Sequence, residues 1–358
     1  MEPSSKVIYL NTAACGLIEE EVIAAGNNFY SALAVKGSGW AEQWRMTAEP
    51  RIRATIASFI GAKPDNVAMV PNFSWALNGV VQSLKGDERV LLYRHDYPSL
   101  IEPFRINNFD IKWIDTEDGF TLPVEEIKQL IRNNEIDIAA LSHVQYNSGY
   151  MLDIQEIGAL CRKHNVLFIV DATQSMGAMP ISIDTTPVDI LIWSNYKWMN
   201  AGFGTGVLYI ADGFLHKYTP VMGGHNSYQM RNDTWMYVPS ILSYEPGHPN
   251  MYGLTILEAA INHKQKAGIE SIAKHNSLLT ALLLDKIKEL PVAMIGPATT
   301  DNRASFILLK DKDGLEDWLK QHNIVTTNRN GLIRISMHYY NTAADVMGLV
   351  ECISNKYK

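Results

Sequence analysis

The sequence predicts an α/β protein: a large domain built on a mainly parallel sheet between helices, followed by a small α+β domain at the C-terminal end. Three observations carry this expectation. Short apolar, β-rich runs alternate with segments of helical spacing through the first two-thirds of the chain, the pattern of strand–helix–strand units. Two of these runs, LFIV ending at Asp171 and DILIW ending at Ser194, are apolar throughout, as strands buried on both faces are. The 358 residues, 47% of them apolar, suffice for one large and one smaller core.

In chain order, VIYLNTAACGLI reads as a short strand entering a turn of small residues, and EEEVIAAGNNFYSALAV follows with helical spacing. TAEPRIRATIASFIGA is an amphipathic helix. DNVAMVPNFSWALNGVVQSL is a strand, a turn and a helix starting near Phe73. The free N–H groups and positive dipole of such a helix start suit an anion such as phosphate, with Ser74 as cap and donor and Asn72 and Phe73 contributing backbone. DERVLLYRHDYPSLIEPF is a strand ending in a turn that holds His95 and Tyr97, either of which could stack on a flat ligand. IDIAALSHVQYNSGYMLDIQEIGALCRKHNV adds a strand, a polar loop and a helix, and completes the unit before Asp171.

The carboxyl ends of parallel strands open onto the ligand crevice, so Asp171 and Lys197 are expected to face one site from neighbouring strands. A buried ion pair would account for those two residues alone. A carboxylate and a lysine so placed also suit pyridoxal 5′-phosphate, whose aldehyde needs an amine and whose ring nitrogen needs an acid partner. Gln174, one turn beyond Asp171, can reach the cofactor's phenolic oxygen. Ser194, Asn195 and Tyr196 put hydrogen-bonding groups directly before the lysine, and the glycines of NAGFGTGVLYI allow close backbone approach. Past a loop rich in Gly, Asn and Met, a long helix begins near Gly253. In the closing NGLIRISMHYYNTAADVMGLVECI, Arg334 lies on a strand among apolar residues, a costly place for a guanidinium unless a carboxylate answers it with two-pronged geometry. Arg329 is either solvent-exposed or reads a second acidic group.

A net charge of −7 without a basic run argues against nucleic acid as a partner, and small-molecule chemistry is the better expectation. The three cysteines, Cys15, Cys161 and Cys352, are scattered without CxxC spacing, which indicates neither a disulfide framework nor a metal site. No window reaches the apolar length of a membrane span, and the first residues lack a basic region followed by an apolar core. A soluble, cytoplasmic protein is expected.

DATQS, then SNYK, then the glycine-rich strand resembles the fold-type I pyridoxal-phosphate enzymes of aminotransferase class V: cysteine desulfurases, isopenicillin-epimerase-like proteins and kynureninases. The likeness extends over nearly the whole chain, and SNYKWMNAG with HVQYNSG looks most similar to kynureninase. It implies a large domain with a seven-stranded sheet over residues 21–253, an N-terminal arm over 1–20 packing near the active site, and a small domain over 254–358. Lys197 and Asp171 are implied as the catalytic pair, with Ser194 and Tyr196 among the groups around the cofactor. The register of DYPS places Tyr97, rather than His95, on the cofactor ring. Asn11 to Ala14 are implied to lie beside the substrate, and Tyr146, where desulfurases carry asparagine and kynureninases tyrosine, to read it. YEPGHPN matches the segment by which one subunit reaches its neighbour's phosphate, which implies a homodimer with Gly247 and His248 acting across the interface. RIS..YNT is the family's α-carboxylate motif and assigns that role to Arg334.

One departure from the family bears on chemistry. Desulfurases carry a catalytic cysteine in a longer loop before the carboxylate arginine, whereas IVTTNRNGL has none, so desulfurase activity by that route is not expected. What remains is a pyridoxal-phosphate enzyme acting at Cα of a small L-amino acid through an external aldimine, with Lys197 as the proton-transfer base. Transamination is the first expectation. A kynureninase-like or C–S β-lyase is the alternative, and a non-catalytic protein of the same fold is the alternative of another class.

Overall fold

The computed structural model describes residues 7–218, 220, 222–237 and 240–358. Seven strands form the central sheet: β1 Val67–Val70, β2 Arg89–Tyr93, β3 Asp110–Ile114, β4 Ile138–Ser142, β5 Leu167–Asp171, β6 Ile190–Ser194 and β7 Gly206–Ile210. Their spatial order is β1-β7-β6-β5-β4-β2-β3. All neighbours are parallel except β7, which runs antiparallel to both β1 and β6.

Because strand side chains alternate, each strand divides its residues between two cores. Leu91, Ala139, Leu141, Phe168, Val170, Leu191 and Trp193 pack on one face beneath the helix Glu20–Phe59 and its neighbours. Val90, Leu92, Ile138, Ala140, Ile169, Ile190 and Ile192 pack on the other, beneath the helices Phe73–Ser83 and Pro98–Ile106. Both faces are covered, which is why the strands carry no polar alternation except at the edge, where Asp110 and Lys112 of β3 are exposed.

The two helical segments expected between residues 20 and 60 form one run, Glu20–Phe59, broken at Gly37, whose φ of 56° and ψ of −139° lie outside the helical region. The helix Met251–Ala267, inside which the expected domain boundary at 253/254 falls, contributes Leu254, Ile256, Leu257, Ala260 and Ile261 to the core of the large domain. Further on, β8 Phe306–Lys310, β9 Thr327–Arg329 and β10 Leu332–Ser336 form an antiparallel sheet in the order β8-β10-β9, with its own core of Leu279, Leu283, Ile307, Ile335 and Leu349. No described helix is long and apolar enough to cross a membrane.

The arm couples the two parts. Ile8–Tyr9 pairs parallel with Ile324–Val325, and Asn11 bridges to Ser336. Ala13 N–H then donates to Ser336 Oγ at 2.9 Å. A buried ion pair fastens the first long helix to the sheet edge: Arg53 donates to both oxygens of Glu245 at 2.5 and 2.9 Å and to the Val67 carbonyl, while Glu245 accepts from Met69 N–H. Removing Glu245 leaves the buried Arg53 with the more distant carboxylate of Glu49, 3.7 Å away. Glu245→Leu should therefore lower stability by about 3–5 kcal/mol, read as the shift in denaturation midpoint, and a loss below about 1 kcal/mol would show the pair to be dispensable.

Candidate active site

The carboxyl ends of β5 and β6 put the two central residues together. Asp171 is in register with Ser142 on one side and Ile192 on the other, and Lys197 follows β6 by three residues. A cavity of about 390 Å³ opens there, lined by Asp171, Lys197, Tyr97, Tyr146, Gln174, Ser194 and Tyr196 and by Asn72, Phe73 and Ser74 of the helix start. Sequence reading placed all ten of these in one site.

Asp171 and Lys197 are both buried. Asp171 Oδ1 accepts from Thr173 N–H at 2.8 Å, yet burial holds its carboxyl above the usual range. Burial lowers the Lys197 ammonium to about 7; Asp171 opposes that shift, and the positive charges of Arg334 and Arg329 reinforce it. Among the described residues Lys197 Nζ has no hydrogen-bond partner; it lies 5.5 Å from the ring centroids of both Tyr97 and Tyr196. The result is an amine with a substantial neutral fraction near pH 7 that lines a cavity.

At the helix start Asn72, not Ser74, is the cap: its Oδ1 accepts from Trp75 N–H at 2.9 Å, and Ser74 Oγ instead meets Ser99 Oγ at 2.8 Å. The reason is positional. Asn72 holds the extended backbone that a cap requires, whereas Ser74 already lies in the first turn. Phe73 N–H donates to Ser194 Oγ at 3.0 Å, which ties the helix start to the end of β6. Gly206 makes this approach possible, since a Cβ there would stand 3.0 Å from Asn72 Cα.

Tyr97 precedes Pro98 of its helix, and its ring meets Tyr146 edge-on at 5.3 Å. His95 points elsewhere: it is exposed, pairs with Asp115 at 3.2 Å and lines a separate outer groove. Gln174 spans the site, donating from Nε2 to the Ala13 carbonyl at 3.1 Å and accepting from Trp198 Nε1 at 2.8 Å.

Arg334 sits on β10, fully buried, with Nη1 donating to the Tyr146 carbonyl at 2.6 Å. Among the described residues its Nε and Nη2 have no hydrogen-bond partner, and burial brings its pKa down to about 9. Arg334 does not line the 390 Å³ cavity itself; it stands behind Tyr146, within electrostatic range of Lys197. Asn11 and Ala14 lie on the arm between the two, Asn11 Oδ1 accepting from Thr327 Oγ1 at 2.6 Å and Ala14 N–H returning to the Asn11 carbonyl. Arg329 is exposed, 5.4 Å from the Tyr146 ring. Gly247 and His248 are not in the cavity. They line a neighbouring one of about 180 Å³ that shares Pro71, Gly204 and Thr205 with it, and His248 Nδ1 lies 3.1 Å from Arg45 Nη1.

Two supporting groups escaped the sequence reading. Asp96 is a buried carboxylate that accepts from Tyr97 N–H, Ser142 N–H, Ser142 Oγ and Gln145 Nε2, and so sets both the Tyr97 turn and the loop carrying Tyr146. An aspartate directly before a Tyr-Pro helix start is the signal that was available. Lys264, Asn200 and His338 form the second group. Lys264 Nζ donates to Asn200 Oδ1 at 2.8 Å, His338 Nε2 meets the Trp198 carbonyl at 3.0 Å, and Asn200 Nδ2 reaches back to the Leu17 carbonyl at 2.7 Å. Nothing in the local sequence marks this long-range junction behind the lysine turn.

The family model described as aminotransferase class-V matches residues 8–349. A probable cysteine desulfurase of Pyrococcus abyssi is 25% identical, with 97% of this chain and 94% of that protein covered. An uncharacterized aminotransferase of Bacillus subtilis, YcbU, is 26% identical over 95% of this chain and 91% of its own length. Among solved structures, the apo cysteine desulfurase of Thermococcus onnurineus superposes with a TM-score of 0.89 at 23% identity, covering 98% of this chain and 94% of that one. The cystine C–S lyase C-DES, solved with its reaction product cysteine persulfide, superposes with a TM-score of 0.88 at 20% identity, covering 98% of both chains.

Gly16 is the arm's closest approach to the lysine turn. Its N–H donates to the Tyr196 carbonyl at 2.9 Å, and a Cβ on it would come 2.0 Å from the Lys197 carbonyl oxygen. Gly16→Ala must therefore displace the arm or the turn. The expected outcome is a stability loss of about 1–3 kcal/mol in denaturant titration, and an unshifted midpoint would mean that the arm is free to move.

Proposed function

The chain belongs to the aminotransferase class-V family of pyridoxal-phosphate-dependent enzymes, and from that premise we propose that it is a C–S lyase, cleaving the Cβ–S bond of a sulfur-containing L-amino acid to release a thiol and an enamine that water hydrolyses, once free, to pyruvate and ammonia. The sequence reading put transamination first; the names carried by the relatives support the C–S lyase alternative better. The observation that carries the reaction class is the pairing of a buried, unpartnered Lys197 amine with a buried arginine whose Nε and Nη2 are unanswered. A base with a lowered pKa and an orphaned carboxylate receptor stand within electrostatic range of one another, on either side of Tyr146, a pairing that suits removal of a proton from Cα of an amino acid.

The residues present fit the cofactor. Lys197 is the amine that would hold its aldehyde, Asp171 the carboxylate for its ring nitrogen, and Tyr97 the aromatic wall. The helix start at Asn72, Phe73 and Ser74, with Ser194, is the anion site for its phosphate. When bound, pyridoxal 5′-phosphate supplies an electron-withdrawing ring that acidifies the substrate Cα–H.

The chain's own residues do the rest. Arg334 grips the α-carboxylate through its two free nitrogens and so orients Cα. Lys197 Nζ takes the proton from Cα, and the Cβ–S bond breaks with its electron pair leaving on sulfur. Asp171 keeps its negative charge against the ring nitrogen. Gln174, Tyr196 and the arm close the site to water. No cysteine lies between β8 and β10, so a protein thiol from that loop takes no part. Cys161 and Cys352 are buried in the cores of the two domains. We further propose a homodimer in which Gly247 and His248, set beside rather than inside the cavity, complete the phosphate site of a second copy.

Lys197→Ala should abolish turnover and the absorbance band of the lysine-linked cofactor, and an unaltered spectrum would refute the assignment. Arg334→Leu should cut kcat/KM for every amino acid at least about tenfold, the loss of a charge-assisted two-pronged contact of roughly 1.5–3 kcal/mol. Pyruvate formed without a keto-acid acceptor identifies the lyase, whereas turnover that depends on an acceptor would replace this reading with transamination. The pH dependence follows from the lysine: as the pH rises through about 7 its amine loses a proton, so the rate at which the cofactor-free protein captures pyridoxal phosphate should rise through about 7 and then level off. A rate still climbing past pH 9 would mean that burial does not lower this amine.

A further inference from the structure

The charge balance around the cavity is lopsided. Lys197, Arg334 and Arg329 act on one another electrostatically, and Asp171 is the carboxylate that acts on Lys197. One substrate α-carboxylate would satisfy Arg334. Arg329 would remain unanswered, since among the described residues it forms no ion pair.

Arg329 is held, not trailing. Strands β9 and β10 pair antiparallel with Thr327 opposite Arg334 and Arg329 opposite Leu332. Residues opposite one another share a face of the sheet, and so do residues two apart, so Arg329 and Arg334 rise from the same face as diagonal neighbours, roughly 7–8 Å apart at their origins. Tyr146 sets both: its carbonyl accepts from Arg334 Nη1 at 2.6 Å, and its ring lies 5.4 Å from the Arg329 guanidinium. Tyr146 also lines both the 390 Å³ cavity and the outer groove of about 580 Å³, which continues past Asn147 and Asn330. The other cations of that groove are already engaged, Arg94 and His95 by Asp115 and Arg105 by Glu102. Among the described residues Arg329 is therefore a cation without an ion pair beside Tyr146, the residue that the cavity and the groove share.

We propose that Arg329 is a second carboxylate site, and that the substrate is a sulfur amino acid whose sulfur carries an acidic substituent, with its α-carboxylate on Arg334 and its distal carboxylate on Arg329. The substrate class rests on the C–S lyase reading, whereas the two-carboxylate geometry does not. A short dicarboxylic amino acid such as aspartate places its second acid beside the first. A substituent beyond sulfur extends outward past Tyr146, where Arg329 stands.

Binding and turnover separate the two claims. In calorimetry on the holoenzyme, adipate should bind about tenfold more tightly than pentanoate, the difference should collapse in Arg329→Leu, and it should shrink as salt is raised. Equal affinities in the wild type, or a preference that survives Arg329→Leu, would overturn the second site. In turnover, pyruvate release from S-carboxymethylcysteine and from cystine should exceed that from S-methylcysteine, and the acidic-to-neutral ratio of kcat/KM should fall about tenfold in Arg329→Leu. A ratio unmoved by the substitution would overturn the substrate class. If no sulfur amino acid yields pyruvate while adipate keeps its advantage, the C–S lyase reading fails and the second-carboxylate site stands.

Discussion

Keeping a primary amine out of water is the constraint on which the rest of the site depends. A charged lysine at the position of Lys197 would be desolvated beside two guanidiniums, and its nearest compensation, Asp171, is itself depleted of water. The neutral amine is the form that this environment favours, and a neutral amine is what both cofactor capture and proton abstraction require. The surrounding architecture serves to hold that one nitrogen dry. The rings of Tyr97 and Tyr196 flank it, the arm lies against its backbone through Gly16, and Gln174 joins that arm to Trp198.

Rigidity comes from buried carboxylates that do no chemistry of their own. Asp96 gathers four donors and thereby places Tyr97 on one side and the loop of Tyr146 on the other. Glu245 does the same for the sheet edge next to Gly247 and His248. In both cases the carboxylate collects a backbone N–H from a strand of the central sheet and ties that strand to a segment outside it, the Tyr97 turn for Asp96 and the first long helix for Glu245. Tyr146 shows what its loop can achieve once held: one residue positions Arg334 with its carbonyl and Arg329 with its ring.

Legibility in the sequence followed the physical range of each interaction. Strands β5 and β6 and the residues at their ends could be read because apolar runs, strand polarity and the crevice rule are local facts, and Asp171, Gln174, Ser194 and Lys197 follow from them. Arg334 was legible for a similar reason, as a guanidinium in an apolar strand demands a partner. The helix cap was misassigned by two residues, because serine and asparagine cap almost equally well and only the backbone angles at Asn72 decide between them. The Lys264–Asn200–His338 junction was not legible at all. Its members lie 64 and 138 residues apart in sequence, and each alone is an ordinary polar residue. The expected domain boundary at 253/254 rested on where a helix begins, whereas which core receives that helix is settled by tertiary packing.

The N-terminal arm has a consequence for how the protein comes into being. Residues 8–17 precede every strand of the central sheet in sequence, yet their partners are Tyr196, Asn200, Ile324, Val325 and Ser336. The sheet and its lysine are built from residues that come before Ile324, whereas the arm that lies against the lysine turn is also held by Ile324, Val325 and Ser336. Closing that side of the site is therefore a long-range event that needs both cores in place, not the large one alone.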